Sequence, residues 1–306
     1  MAVVATEIQS LNEINYKSKI KIILMIPLVF ILFVFAFLSF YPVGDKVKGL
    51  IKGAFKGQGC NPDFRSISME WIMPKIVVAD LTIPASCMDR AGAPLKFSYL
   101  TINYHLISFA PFGLPFRVDT SFEGQEISLY FVQGITGQTI RLKDQTLDLA
   151  RLQPIMGDSV KLAGKVTVDM SVGMTKQAIR ELNLKAQSKN FQIPPQSIQG
   201  FTTPPLKVNE FYLEANTENH PRIKVEKLIL GDTDSPMRAN FKGTIDLQEG
   251  NTSMSPINLT GEIAFSDNFR QALPLIDMMF QSFNQKDGFY QIKMGGTLGQ
   301  PKPMSP

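Results

Sequence analysis

Chemically reactive side chains are scarce in this chain. Its 306 residues hold two cysteines, two histidines and one tryptophan. His105 and His220 stand far apart, in YHLISF and ENHPR, with no cysteine, histidine or carboxylate at metal-ligand spacing. Cys60 and Cys87 are too widely separated for a redox or zinc pair. No Gly-x-Ser-x-Gly elbow, phosphate loop or dinucleotide fingerprint is present. Asp232 and Asp234, in Gly-Asp-Thr-Asp-Ser, lack the remaining ligands of a calcium loop and read as a turn. These absences argue against an enzyme and against a metal or organic cofactor. The 31 basic residues exceed the 27 acidic ones by only four. They form no basic stripe with interleaved aromatics, which argues against nucleic acid as a partner. Beyond residue 41 there is no second long uncharged apolar run.

The one such run is IILMIPLVFILFVFAFLSFY, residues 22–41. At about 1.5 Å per helical residue, it spans the roughly 30 Å hydrocarbon core of a bilayer. A cleaved signal peptide has a shorter apolar core, typically about 7–15 residues, and a small-x-small exit. This run leaves through Leu38-Ser39-Phe40-Tyr41-Pro42, where bulky residues stand instead, so an uncleaved transmembrane helix is expected. Residues 1–21 form its cytoplasmic tail. Lys17, Lys19 and Lys21 precede the span and Lys46, Lys48, Lys52 and Lys56 follow it, so the positive-inside count does not decide orientation. Residues 42–57 read as a juxtamembrane amphipathic helix. Val47, Leu50, Ile51, Ala54 and Phe55 share one face, and Lys48, Lys52 and Lys56 another. Two readings stand: a helix on anionic headgroups with snorkelling lysines, or a helix packed on the body with its lysines in water.

The two cysteines flank the first expected hairpin. A bridge between Cys60 and Cys87 would close a loop worth about 3 kcal/mol and would require an oxidising compartment. Two free buried thiols are the alternative. Together with a β-rich composition, cysteine usage favours a body outside the cytoplasm.

Residues 58–306 form that body, expected to be mainly β: an elongated, curled antiparallel sheet. Val160, Leu162, Gly164, Val166, Val168, Met170 and Val172 alternate with polar residues at period two, as do Met237, Ala239, Phe241, Gly243, Ile245 and Leu247. Such strands have one dry and one wet face. Apolar residues at i, i+2, i+5 and i+7 recur at Ile76-Val78-Leu81-Ile83, Leu95-Phe97-Leu100-Ile102, Leu206-Val208-Phe211-Leu213 and Ile223-Val225-Leu228-Leu230. The three-residue gap switches parity, and a bulge restores the facing while adding twist and bend. A second repeat, apolar-x-Gly-x-apolar, places Gly164, Gly243, Gly261 and Gly296 at sheet bends or close backbone approaches. Prolines 194, 195, 204 and 205 suggest a joint near 194–205. Residues 268–284 carry Phe269, Leu273, Ile276, Phe280 and Phe283 at helical spacing. They predict a short helix near the C-terminus, kinked or restarted at Pro274. Ile76, Val78, Leu95, Phe97, Val166, Val168, Phe241, Ile245, Leu259 and Ile263 are expected to line one continuous apolar surface. Alternation does not distinguish a sealed core from an open trough for lipid.

The single N-terminal anchor, the Gly59-Cys60-Asn61-Pro62 stretch, LKFSYLTINY (95–104) and the terminal IKMGGTLGQPKP (292–303) together resemble the protein N family of the bacterial type II secretion system, in its shorter-anchor branch. The Gly-bearing strands also look like those of AsmA-like proteins, whose elongated sheets curl around an apolar trough. The first resemblance implies a single-pass protein of the bacterial inner membrane with a periplasmic body. Such a protein would assist export of folded proteins as a scaffold or interaction subunit, in contact with other secretion-system subunits and the lipid bilayer. The second implies a lipid-binding or lipid-transfer module. Neither brings catalytic residues with it.

Overall fold

The computed structural model describes residues 61–70, 75–88, 94–104, 113–134, 137–156, 161–175, 178–198, 201–202, 204–248, 252–274 and 282–304, with Gly49, Met278 and Phe280. The chain divides into two compact units, Met1–Leu50 and Ile51–Pro306; apart from Gly49, the described residues belong to the second. The expected transmembrane helix (22–41) and the headgroup lysines Lys46, Lys48, Lys52 and Lys56 lie outside the described residues. Among those described, no helix is long and apolar enough to cross a membrane.

The second unit is mainly β. Its strands are β1 (Ser66–Glu70), β2 (Lys75–Ile83), β3 (Leu95–Tyr104), β4 (Gly113–Phe122), β5 (Gln125–Gly134), β6 (Gln138–Asp148), β7 (Lys165–Thr175), β8 (Ala178–Ile193), β9 (Ser197–Ile198), β10 (Phe201–Thr202), β11 (Leu206–Asn219), β12 (Arg222–Leu230), β13 (Met237–Asp246), β14 (Ile257–Phe265), β15 (Gln285–Lys286), β16 (Phe289–Thr297) and β17 (Gln300–Met304). Fifteen of them make one antiparallel sheet. It runs β1 to β8 in chain order and continues through β11, β12, β13 and β14 to β16, whose far edge is shared by β15 and β17. The proline-rich connection at 194–205 does not interrupt it. Leu206 pairs with Ile193, so β8 and β11 are neighbours, and β9–β10 form a small separate hairpin. The expected joint is therefore an excursion from a continuous sheet.

Three of the four copies of the i, i+2, i+5, i+7 repeat coincide with a break in register, and the fourth, on β2, coincides with an unpaired position in an unshifted ladder. Asp80 and Ser98 are skipped between the pairs Ala79–Tyr99 and Leu81–Phe97. The β3–β4 register shifts between Phe97 and Tyr99. On β11 it shifts on both sides of Asn209, and on β12 between Val225 and Leu228. Asp80 and Asn209 adopt positive φ, 51° and 57°, which Asp and Asn tolerate better than other side-chain-bearing residues. A fifth switch follows the same spacing on β6, Ile140-Leu142-Gln145-Leu147, with Asp144 at φ 44°. Gln145 hid it from a search for apolar residues. Its amide also explains what holds β5 to β6 where their ladder ends: Gln145 accepts from the Ser128 amide (3.0 Å) and donates to the Glu126 carbonyl (2.7 Å).

Two glycines of the second repeat sit where β13 and β14 approach most closely. A Cβ on Gly243 would run into the Asn258 carbonyl, and one on Gly261 into the Asn240 carbonyl and the Phe241 backbone. Asp287-Gly288, both at positive φ, closes the two-residue β15–β16 hairpin.

Among the described residues, two short α-helices with full bounds punctuate the sheet. The first, α1 (Leu149–Met156), has no counterpart in the sequence expectations because Pro154 lies inside it. Asp148 caps it by accepting from the Ala150 amide at 3.1 Å. The second, α2 (Asp267–Ala272), is capped by Ser266, whose Oγ accepts from the Phe269 amide. Within 268–284, where a kink or a restart at Pro274 is expected, the helix breaks before the proline. Leu273, forced out of helical geometry by the following proline, is extended at φ −136°, ψ 73° and ends the helix; Met278 and Phe280 are helical again. At the sheet's last edge, β17 carries Pro301, Lys302 and Pro303, all exposed. Prolines supply no donor to an incoming strand and lysine resists burial, so this edge is blunted.

Candidate functional site

Cross-strand partners in an antiparallel sheet point to the same side, so the register defines a face. Starting from Val78 on β2, the partners Leu100, Thr120 and Ile127 follow on β3, β4 and β5. One row along, Phe116 pairs with Phe131, Phe131 with Ile140, Ile140 with Val172, and Val172 with Leu182. From β8 the rows continue through Leu184–Ala215–Val225–Gly243–Leu259–Met294. Every one of these side chains except Thr120 and the glycine is apolar. Ile76, Val78, Leu95, Phe97, Val166, Val168, Phe241, Ile245, Leu259 and Ile263 all fall on this face by register.

Its packing is uneven. Val78, Phe122 and Val208 are fully buried (0% exposed), each worth about 1.5–3 kcal/mol relative to exposure. Phe97 and Phe122 pack at 5.1 Å between ring centroids, and Phe191 stacks on Phe211 at 4.9 Å. One cluster joins Val166, Ala186, Phe191 and Val208, with Leu149 of α1 and Leu162, Ile193 and Leu206 against it. Another centres on Ala215, Ile223 and Val225. A third joins Ala239, Phe241 and Ile292 with Phe280 and Phe283. There Phe265, Phe269, Phe280, Phe283 and Tyr290 form an aromatic group with centroids 5.2–5.8 Å apart along its closest links. Leu213, Leu228, Leu230 and Leu259 belong to two clusters each, so the three are continuous. Between the plugs, Val168, Met170, Leu182, Leu184, Ile245, Leu259 and Ile263 remain only half-buried.

The opposite face carries the charges. On β3–β5 the Asp119 carboxylate accepts from Ser128 Oγ (2.5 Å), Arg117 Nε (2.9 Å) and Asn103 Nδ2 (3.0 Å). Burial pushes its pKa up, but these hydrogen bonds and the Arg117 charge outweigh it and hold the carboxyl below its ordinary value. The Tyr99 hydroxyl is pushed up, first by burial and then by Glu126 and Asp119. On β11, Tyr212 donates to Glu214 at 2.6 Å, with Lys185 and Lys227 5.7 and 5.4 Å from its ring centre. These are structural networks of short reach. They join residues both within a strand and across neighbouring strands, pairings that period-two reasoning could not foresee.

Cys87 is buried and disulfide-bonded; Cys60, the chain's other cysteine, lies outside the described residues. His105 also lies outside them, and His220 sits in the β11–β12 turn. Asp232 and Asp234 form a turn in which Asp232 accepts from Ser235 Oγ and Asn209 Nδ2. The fold and this face define a class: a single-layer meandering antiparallel sheet, apolar on one side. No family model, curated protein or solved structure matches the chain.

Proposed function

We propose that this chain is a non-enzymatic component of a type II protein secretion system of the protein N kind, anchored in the bacterial inner membrane by residues 22–41 with its body in the periplasm. The observation that supports it most is where the resembling segments lie. LKFSYLTINY is the whole of β3, and IKMGGTLGQPKP forms most of β16 and β17, the strands that close the sheet. The shared residues are thus sheet-defining ones at both ends of one continuous body, as expected of a scaffold or interaction subunit with other secretion subunits as partners. Deleting the gene and complementing it in trans tests the reading. Substrates of the secretion system should accumulate in the periplasm of the deletion strain and return to the medium on complementation. Unchanged secretion would sink it.

The half-buried stretch of the apolar face favours a second, AsmA-like reading on the same body. The register breaks on β3, β6, β11 and β12 add twist and bend, so the sheet is expected to curl lengthwise around that face and hold lipid along it. Among the described residues no second layer covers the sheet, which leaves apolar side chains for a ligand to bury. Val168→Glu is expected to leave the fold intact by circular dichroism and to remove lipid that co-purifies with the wild type, read by native mass spectrometry. Unfolding of the variant would show a sealed core instead.

A further inference from the structure

A cavity lies on the polar face, away from the apolar one. It measures about 650 Å³, within the 300–1,000 Å³ range of small-molecule sites. A row of cross-strand partners forms its floor: Thr146 with Thr167, Thr167 with Gln187, Gln187 with Tyr212. The concavity comes from a bulge. Between the pairs Phe211–Ser188 and Asn209–Phe191, β8 contributes Lys189 and Asn190 where β11 contributes only Glu210. Bulges re-aim side chains and are over-represented beside functional sites.

This bulge is held rigidly from both strands. Ser188 Oγ donates to the Lys165 carbonyl (2.6 Å), and the Lys165 amide donates to Asn190 Oδ1 (3.0 Å). Across the cavity, left-handed Asn209 (φ 57°) donates to the Asp232 carboxylate at 3.2 Å. The side chains this frame presents are left without work inside the protein. Lys165, Lys189, Gln187 and Glu210 line the cavity, and their polar ends have no hydrogen-bond or ion-pair partner among the described residues.

The chemistry of the lining selects its ligand. Lys165 and Lys189 are balanced by Glu210 and Asp232, so the site has no excess charge to concentrate an anion. Lysines and the glutamine amide donate; glutamate, glutamine and threonine oxygens accept. A ligand that needs both kinds of partner at close spacing, carries no net charge and fits a shallow, open sheet surface is a polyol. We propose that this cavity is a binding site for a neutral oligosaccharide, whose hydroxyls pair with Lys165, Gln187, Lys189 and Glu210 while a sugar ring lies along Tyr212. The proposal is independent of the secretion reading: a glycan could bind whether or not the chain serves export.

The test uses the full chain in lauryldimethylamine oxide, a detergent without sugar. Chitotetraose, cellotetraose and maltotetraose are titrated by calorimetry, with inorganic phosphate as the anionic control. Purified peptidoglycan sacculi in a sedimentation assay separate cell-wall glycan from a free oligosaccharide. Saturable binding of at least one tetrasaccharide is expected, weakened about tenfold or more by Glu210→Gln and by Gln187→Ala. Melting temperatures of these surface variants should remain at the wild-type value. Absence of saccharide binding at millimolar concentration overturns the proposal, as does equal affinity in both variants. Phosphate binding that Lys189→Met abolishes, with no saccharide binding, would make it an anion site and also overturn it.

Discussion

The two faces of the sheet are built from the same strands, yet they obey different rules. On the apolar side, contacts are generic: any neighbour of suitable shape serves, and three clusters merge through four shared leucines. On the polar side, contacts are specific and local, as in Asp119 with its three donors or Arg222 with Asp246 at 2.7 Å. The difference teaches where stability and specificity reside. Burial scales with area and accumulates along the fifteen strands of the sheet without exact partners. Exposed ion pairs are worth about 0–1 kcal/mol each, so the polar face is available for recognition without supporting the fold.

The sharpest way to break this comparison is a matched pair of truncations on neighbouring strands. Phe122→Ala, at a fully buried position, should cost about 3–5 kcal/mol in urea unfolding. Tyr130→Ala on the opposite face, 41% exposed, should cost about 1 kcal/mol or less. Equal losses would show that both faces are structural. A smaller effect tests the close approach of β13 and β14. Gly261→Ala forces a Cβ against the Asn240 carbonyl and should cost about 1–3 kcal/mol, while exposed Thr260→Ala should stay within about 0.5 kcal/mol of wild type.

The smallest expected effect is electrostatic. Asp119 has a folded-state pKa below that of the unfolded chain, so the unfolded state binds more protons in acid. Its contribution is complete above the unfolded value of about 3.9 and is lost as pH falls through the folded value. Thermal melts from pH 6 down to pH 2.5 should therefore show a shallower acid decline for Asp119→Asn than for wild type. The gap at pH 6 should shrink towards the acid end. A constant offset at every pH would mean that Asn fails through packing and not through charge.

Much of the fold was legible because a half-buried strand writes its facing into alternate residues. The parity switches at Leu206-Val208-Phe211-Leu213 and at its counterparts on β3 and β12 located bulges that the register breaks display. The helix near the C-terminus was legible in type but not in extent. Phe269, Phe280 and Phe283 do meet in one aromatic group, but Pro274 divides them between separate turns. The α1 helix was hidden by Pro154, and the fifth switch by Gln145, whose amide takes up backbone groups instead of packing. The saccharide cavity had one indirect signal, the bulge implied beside Phe211. Nothing in sequence order showed that Lys189 and Glu210 would share its rim.

Composition and periodicity thus decided by themselves that this body is a β-sheet with one dry face, which residues belong to that face and where the strands must change step. Those properties follow from local geometry, since side chains alternate at every residue and a skipped residue reverses them. Only the tertiary structure decided which strands are neighbours across the proline-rich excursion, which donors gather around Asp119 and where a bulge opens a cavity on the wet face. These depend on register between segments tens of residues apart. Polar pairs contribute too little free energy for any local pattern to specify them.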